Sequence, residues 1–445
     1  MHKDISIIGA GLVGSLLSIY LAKRGYSLTI YERRADMRKA VMIAGRSINL
    51  ALSDRGIKAL EEVGIMEEIR KIAIPMHGRL IHNLDGSTTY QPYGGDGQYI
   101  NSVSRSQLNM MLMNLAEQKG VKILFEKKLD SINWQNNEMH FEGTPAVKTD
   151  LIFGSDGAYS AARLTHQLQQ DRFQYEQFYI DFGYKELTIP AGKSENFLIE
   201  KNALHIWPRG NYMLIALPNT DGSFTCTLFF PFNGEPSFKS LDTKEKVREF
   251  FNDTFADASL LMPDLEKEFF ENPTSSLITV KCFPWIRKDT FALIGDAAHA
   301  IVPFFGQGMN CGFEDCSVLN ELIDKNGEDW EKILESYQSL RKPDGDAIAD
   351  LALNNFVEMR DKVSDPKFLL QKKIEAKFNK KFPEKWTPAY AMVTFSPHIR
   401  YSEALKKGNN QELIMKKIMA LPGIEDKWEH EEVERMMLEE LEIQS

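Results

Sequence analysis

The four cysteines in 445 residues, Cys226, Cys282, Cys311 and Cys316, form no CxxC pair and no metal-ligand spacing. That excludes a disulfide framework and a cysteine-built metal site, and leaves them as reduced, mostly buried thiols of a cytoplasmic protein. Positive charge is in deficit, with 53 lysines and arginines against 63 acidic residues and a net charge of −10. Nonspecific nucleic-acid binding is therefore not expected, and an anionic ligand must be met by local arginines. The chain has no internal repeat and no low-complexity tract. Its one uncharged stretch long enough to suggest a membrane span, Ile5 to Ala22, carries three glycines, which suits neither a span nor a signal h-region.

That same stretch is the most informative in the sequence. Ile5 to Ile8 reads as a buried parallel strand, Gly9, Gly11 and Gly14 make a GxGxxG turn, Ser15 to Arg24 reads as a helix, and Ser27 to Tyr31 as a second strand ended by Glu32. Gly9 permits the tight turn, Gly11 lets backbone N–H groups approach a pyrophosphate, and Gly14 allows helix and strand to pack closely. Glu32, eighteen residues past Gly14, stands where an acid accepts ribose hydroxyls. Arg33 is placed to stack near an adenine, while Arg34, Arg38, Lys39 and Arg46 read as a solvated loop. Asp54 is expected to cap a helix with apolar positions at Ile57, Leu60 and Val63.

Further along, Pro75 to Tyr99 alternates about a DG turn and predicts a hairpin outside the nucleotide domain. Gln107 to Lys119 reads as a helix, Val121 to Phe125 as a strand, 127–149 as a polar meander, and Asp150 to Gly157 as a buried strand running into a second DG turn. Phe178 to Phe232 has the long alternation of a predominantly antiparallel sheet. A helix over Thr243 to Phe255 and a strand near Leu277 to Phe283 follow, and from Trp330 the chain is helical with a break at Pro383, Pro388 and Pro397. In DTFALIGDAAHAIVPFFGQGMN, a buried strand delivers Gly295 and Asp296 at its carboxyl end, where an aspartate accepts a ribityl or ribose hydroxyl. The loop Pro303 to Gly308 then starts a helix whose dipole favours negative charge. Arg79 by itself reads as a hairpin charge, Asn355 as an ordinary helix residue, and Tyr93 and Tyr390 as core aromatics. His299 reads as packing.

The expected fold is α/β. A Rossmann-type FAD-binding domain comes from noncontiguous segments (1–73, 100–178 and 285–329), an antiparallel β-sheet substrate domain from 74–99 and 179–284, and a C-terminal helical region from 330–445. The cofactor enters through a resemblance. GAGLVG with Glu32, DGAYSAAR from Asp156 and GDAAH from Gly295 resemble the three fingerprints of the single-component FAD monooxygenases, the flavoprotein aromatic hydroxylases. The strings GRLIHNLDG, QPYG, YINSVSRSQLN, HIWPRG, PFFGQGMNCGFEDC and LALNNFVEMR are similar, within that family, to the kynurenine 3-monooxygenases.

The resemblance implies noncovalent FAD held by Gly9, Gly11, Gly14, Glu32, Arg33, Arg105, Asp156, Asp296, Gly308, Met309 and Asn310. It implies a carboxylate site for L-kynurenine at Arg79, Tyr93, Asn355 and Tyr390, with NADPH as reductant and O2 as oxidant. It implies hydroxylation beside the kynurenine amino group through a flavin C4a-hydroperoxide, with no catalytic base or metal from the protein. A different aromatic hydroxylase or an epoxidase is the alternative. Eukaryotic members finish in a membrane anchor, and the charged helical pattern Glu425 to Gln444 implies instead a version without one.

Overall fold

A computed structural model describes residues 3–39, 49–93, 97–361 and 365–444; Arg46 of the basic loop lies outside them. The chain starts on the strand Asp4–Ile8, whose last four residues are buried, because both faces of a parallel sheet are covered. This strand pairs in parallel with Ser27–Tyr31 on one side and Leu151–Gly154 on the other. Lys122–Leu124 extends the sheet past Ser27–Tyr31, and Phe291–Leu293 extends it past Leu151–Gly154. A short antiparallel strand, Ile286–Arg287, closes that second edge. Pieces nearly three hundred residues apart in sequence thus form one sheet, as the noncontiguous reading required.

Between the first two strands runs the helix Leu12–Lys23. Gly9, with φ +102°, turns the chain from strand to helix in a conformation an L side chain rarely adopts. The close packing assigned to Gly14 is severe. A Cβ there would lie 2.1 Å from the carbonyl oxygen of Gly9 and 2.4 Å from Ser155 Oγ.

A second sheet of seven strands carries the other half of the fold, in the order Ser275–Phe283, Gln174–Ile189, Phe224–Pro231, Met213–Pro218, Ala203–Pro208, Gly78–His82 and Thr88–Pro92. All neighbours are antiparallel except Ala203–Pro208 with Gly78–His82, which are parallel. The hairpin predicted around Asp85 and Gly86 is therefore an edge of this sheet, added beside a strand more than a hundred residues away. One face is sealed by the helices Lys244–Thr254, Ala256–Ser259 and Leu265–Glu271, whose Phe251 and Leu265, with Phe255 between the first two, pack with Leu187, Trp207 and Phe224 of the sheet. Each such side chain contributes about 1.5–3 kcal/mol of apolar burial. The opposite face looks toward the nucleotide sheet.

Two local readings are corrected. The helix Asp54–Glu62 has the extended Ser53, not Asp54, at its N-cap position, with no side-chain hydrogen bond from it to the first turn, and Asp54 is the first helical residue. The polar meander is a small antiparallel sheet of Leu129–Asn133, Glu138–Phe141 and Val147–Lys148. A further small sheet pairs Asn49–Leu52 and Ala73–Met76 with Ile100–Ser104.

The helix Trp330–Asp361 opens the C-terminal region. Its first two turns belong to the core of the nucleotide sheet through Trp330, Ile333, Leu334 and Tyr337. Farther on, Ile348, Ala352 and Phe356 pack with Phe304 and Phe305 in a cluster between the two sheets. The helices Pro366–Lys381, Ala389–Phe395, Tyr401–Met419 and Glu431–Gln444 follow, and Pro383, Pro388 and Pro397 fall in the breaks between them. Among the described residues no helix is long and apolar enough to cross a membrane.

Candidate active site

A cavity of about 910 Å3 lies between the carboxyl ends of the nucleotide strands and the inner face of the large sheet. It is at the upper end of the range for small-molecule sites, with room for a large cofactor and a small substrate together. On the nucleotide side the wall is built by Gly9, Gly11, Glu32, Arg33, Arg105, Asp156, Asp296, Gly308 and Met309. Nine of the eleven residues assigned to the cofactor from sequence thus meet at one surface. Gly14 and Asn310 stand behind it.

Two helices begin at this wall. Leu12–Lys23 starts after Gly11 and Gly308–Asn326 after Gln307, and neither has a side chain capping its first amides. Open N–H groups and the positive end of each helix dipole are therefore presented to the cavity. Gly11 has ordinary backbone angles, yet a Cβ built on it would meet no atom within 4 Å. The protein leaves that place clear without needing to, which fits the close approach of a pyrophosphate and, with the acid at Glu32, an FAD.

The polar groups around the wall are held individually. Glu32 accepts hydrogen bonds from the amides of Ala10 (2.9 Å) and Arg34 (2.9 Å) and from Arg34 Nε (2.8 Å). Burial would raise its pKa, but these bonds outweigh it and hold the carboxyl below the usual range. Arg34, assigned to a solvated loop, is thus a direct partner of Glu32 and lines the cavity. Its place two residues past Glu32 was the available signal.

Asp156 reaches the wall, but its carboxylate is turned to the helix Ala161–Gln169, accepting from Ser160 Oγ, the Ala161 amide (2.7 Å) and the Ala162 amide (3.2 Å). It fixes the DG turn more than it faces the ligand. Asn310 accepts from the Ser53 amide (3.0 Å) and donates to the carbonyls of Ala51 and Gly306, both at 2.8 Å. Its amide is spent on pinning the loop before its own helix.

His299 departs most from its reading as simple packing. Its Nε2 lies 2.6 Å from Asp315 Oδ2, and Asp315 also receives the Gly295 amide (3.0 Å) and Arg341 Nε (2.7 Å). Against the opposing effect of burial, Asp315 raises the His299 pKa well above its ordinary value. Burial likewise pushes Asp315 up, and His299 and Arg341 more than offset it. This buried ionic cluster ties the GD turn to the helices Gly308–Asn326 and Trp330–Asp361. His299, Cys311 and Asp315 are close enough to suggest a metal site. The Arg341 guanidinium donating to both Asp315 and Cys311 Sγ (3.2 Å) supplies the positive charge there instead.

The opposite wall is apolar and comes from alternate residues of the large sheet: Leu204, Ile206, Met213, Ile215, Leu217 and Phe229. None was singled out from sequence, although every second position of the strands could have been read as one face. Pro303, Phe304 and Phe305 form the facing wall. Into this lining projects Arg79, half-buried, with its guanidinium carbon 4.4 Å from the Tyr390 ring centroid and 5.5 Å from that of Tyr93. The two phenols are near-parallel, 5.8 Å apart, and Tyr390 also stacks on Phe305 at 5.5 Å. Among the described residues no carboxylate comes within 4.0 Å of Arg79. The Tyr93 hydroxyl is shut off from solvent and, among the described residues, makes no hydrogen bond of good geometry, with the Arg79 guanidinium beside it. Asn355 stands behind the lining, donating to the Phe304 carbonyl at 2.7 Å and thereby holding the facing wall.

Comparison with known proteins gives consistent findings. A family model described as an FAD binding domain matches residues 2–352. Over 443 residues the chain is 51% identical to the kynurenine 3-monooxygenase of Christiangramia forsetii, covering 98% of each chain. Over 441 residues it is 51% identical to that of Flavobacterium johnsoniae, again covering 98% of each. Among solved structures, the tetrameric form of 2-methyl-3-hydroxypyridine-5-carboxylic acid oxygenase superposes with a TM-score of 0.70 at 19% identity, over 90% of this chain and 98% of that one. That last likeness is one of fold.

Proposed function

Because the chain belongs to the kynurenine 3-monooxygenase family of FAD-dependent monooxygenases, we propose that its cavity holds L-kynurenine by the amino-acid carboxylate at Arg79, with Tyr93 and Tyr390 beside it. The enzyme uses FAD, with NADPH and O2 as co-substrates, to form 3-hydroxy-L-kynurenine. One observation carries the substrate assignment. A cationic side chain at the wall of an apolar cavity, with no carboxylate of the described residues at ion-pair distance and beside it a buried phenol that makes no hydrogen bond of good geometry to them, is a site waiting for an anion.

In this reading Gly9, Gly11, Glu32, Arg33, Arg105, Asp296, Gly308 and Met309 would hold FAD, Asp156 at the same wall would fix the DG turn, and Gly14 and Asn310 brace that surface from behind. Bound FAD supplies the electron transfer and oxygen activation that amino-acid side chains lack. The chain does the rest. Arg79 orients the substrate through its carboxylate, and burial pushes the Tyr93 phenol well above its ordinary pKa, so its Oη carries a proton to donate. Asn355 keeps the Phe304 wall in place, and the apolar side chains of both walls exclude water. The ring amino group already activates the adjacent carbon, so no side chain is needed as a base. The four cysteines are unpaired and buried, which suits a reducing compartment, and we assign the reaction to the cytoplasm.

The test is NADPH oxidation by the FAD-loaded protein with and without L-kynurenine, with the product identified. Stimulation by kynurenine with stoichiometric 3-hydroxykynurenine is expected. Equal stimulation by kynurenine and by its decarboxylated analogue would refute the carboxylate site.

A further inference from the structure

The substrate reading depends on where Tyr390 holds its phenol, and the structure contains a device that sets this place. Tyr390 is the second residue of the short helix Ala389–Phe395, which no side chain caps. The last carbonyls of such a helix have no partner within it. Arg55, on the helix Asp54–Glu62 of the nucleotide-binding body, reaches them. It is 1% exposed, one of the largest fully buried side chains in the protein. Its Nε donates to the Val393 carbonyl at 2.7 Å, and its Nη2 to the carbonyls of Met392 (3.2 Å), Ser396 (3.3 Å) and Ile399. Its Nη1 donates to the Glu314 carboxylate, on the helix whose first turn lines the cavity. Its guanidinium carbon lies 4.0 Å from the Tyr401 ring centroid.

One guanidinium thus gathers the carboxyl end of the Tyr390 helix, the turn after it and the start of the next helix, and locks them to the helix Gly308–Asn326. A lysine in its place keeps the charge but loses the planar fork that serves several acceptors at fixed angles. We infer that Arg55 is a positioning residue for substrate recognition: by fixing the carboxyl end of the Tyr390 helix it sets the Tyr390 phenol against Arg79. This rests on the carboxylate site proposed above and explains how a residue from the far C-terminal region is held in register with one from the hairpin.

Purified FAD-loaded protein as wild type, Arg55→Lys, Tyr390→Phe and the double variant is titrated with L-kynurenine and with its decarboxylated analogue, following the flavin absorbance. Melting temperature and FAD retention serve as controls. Arg55→Lys is expected to weaken kynurenine about tenfold, as contact-coupled sites do, while shifting the decarboxylated analogue by less than about twofold. In the Tyr390→Phe background it should add less than about twofold, because its effect is routed through that phenol. Loss of affinity for both ligands alike, or factors that multiply in the double variant, would reduce Arg55 to general structural support and overturn the inference. If Tyr390→Phe alone leaves kynurenine binding intact, the carboxylate site is wrong and the inference falls with it. If Tyr390→Phe weakens kynurenine while Arg55→Lys does not, only the role of Arg55 fails. Should Arg55→Lys not yield folded protein, Glu314→Gln, which removes the anionic partner and leaves the carbonyls, is judged by the same criteria.

Discussion

Replacing Tyr93 by phenylalanine should push stability and substrate binding in opposite directions. The hydroxyl is buried and, among the described residues, makes no hydrogen bond of good geometry in the substrate-free protein. A buried polar group left unsatisfied costs about 1–3 kcal/mol, so its removal should stabilise the free protein by up to that amount. An unfolding entropy of about 2.1 cal/mol/K per residue over 445 residues makes each kcal/mol worth about 1 °C, so the melting temperature should rise by roughly 1–3 °C. Binding should go the other way. Burial holds the phenol protonated, and a hydrogen bond to a charged carboxylate is worth about 1.5–3 kcal/mol. Its loss should weaken kynurenine roughly ten- to hundredfold. Differential scanning fluorimetry of the FAD-loaded, substrate-free protein and calorimetric titration with kynurenine read the two effects separately. A Tyr93→Phe variant that melts lower and binds kynurenine unchanged would show that the hydroxyl serves the fold, and would refute the reasoning.

Other expectations follow from the same geometry. Gly11→Ala should leave the melting of FAD-stripped protein within about 1 °C, because its Cβ meets nothing, yet cut FAD affinity roughly ten- to hundredfold by overpacking the cofactor. Gly14→Ala should instead fail to accumulate as folded protein, since its Cβ would collide with the Gly9 carbonyl; normal expression of that variant would contradict this. Arg79→Ala should reduce kynurenine affinity by about 2–5 kcal/mol while leaving FAD retention and binding of the decarboxylated analogue unchanged in parallel titrations. Burial lowers His166 and His205 from 6.5 to about 4, so the unfolded chain binds more protons between those values. The stability these histidines contribute is therefore present above pH 6.5 and lost as pH falls toward 4, by up to about 3 kcal/mol each. Urea midpoints at pH 7 and pH 5 check this. His166→Phe, among Trp134, Phe173 and Phe291, should remove part of the drop.

The sequence by itself determined those parts whose physics is local. A GxGxxG turn between a buried strand and a helix, with an acid at the end of the next strand, is dictated by sterics and hydrogen bonding within some thirty residues. It was legible from Asp4 to Arg34. The alternation of the sheet strands and the proline breaks among the last helices were legible for the same reason. Tertiary structure decided what depends on distant partners. Asp156 and Asn310 read as ligand-facing residues because of their motifs, but their polar atoms are claimed by a helix amide pair and by Ser53, Ala51 and Gly306. His299 read as packing because Asp315, which raises its pKa, lies 16 residues away from it, and Arg341, which shares that carboxylate, lies 26 residues beyond the aspartate. Arg55 carried no signal in the sequence, since its acceptors apart from Glu314 are backbone carbonyls more than 330 residues downstream, and a carbonyl has no letter. Local steric rules are written in the residues themselves, whereas the use to which a buried polar group is put depends on which distant group the fold brings within 3 Å of it.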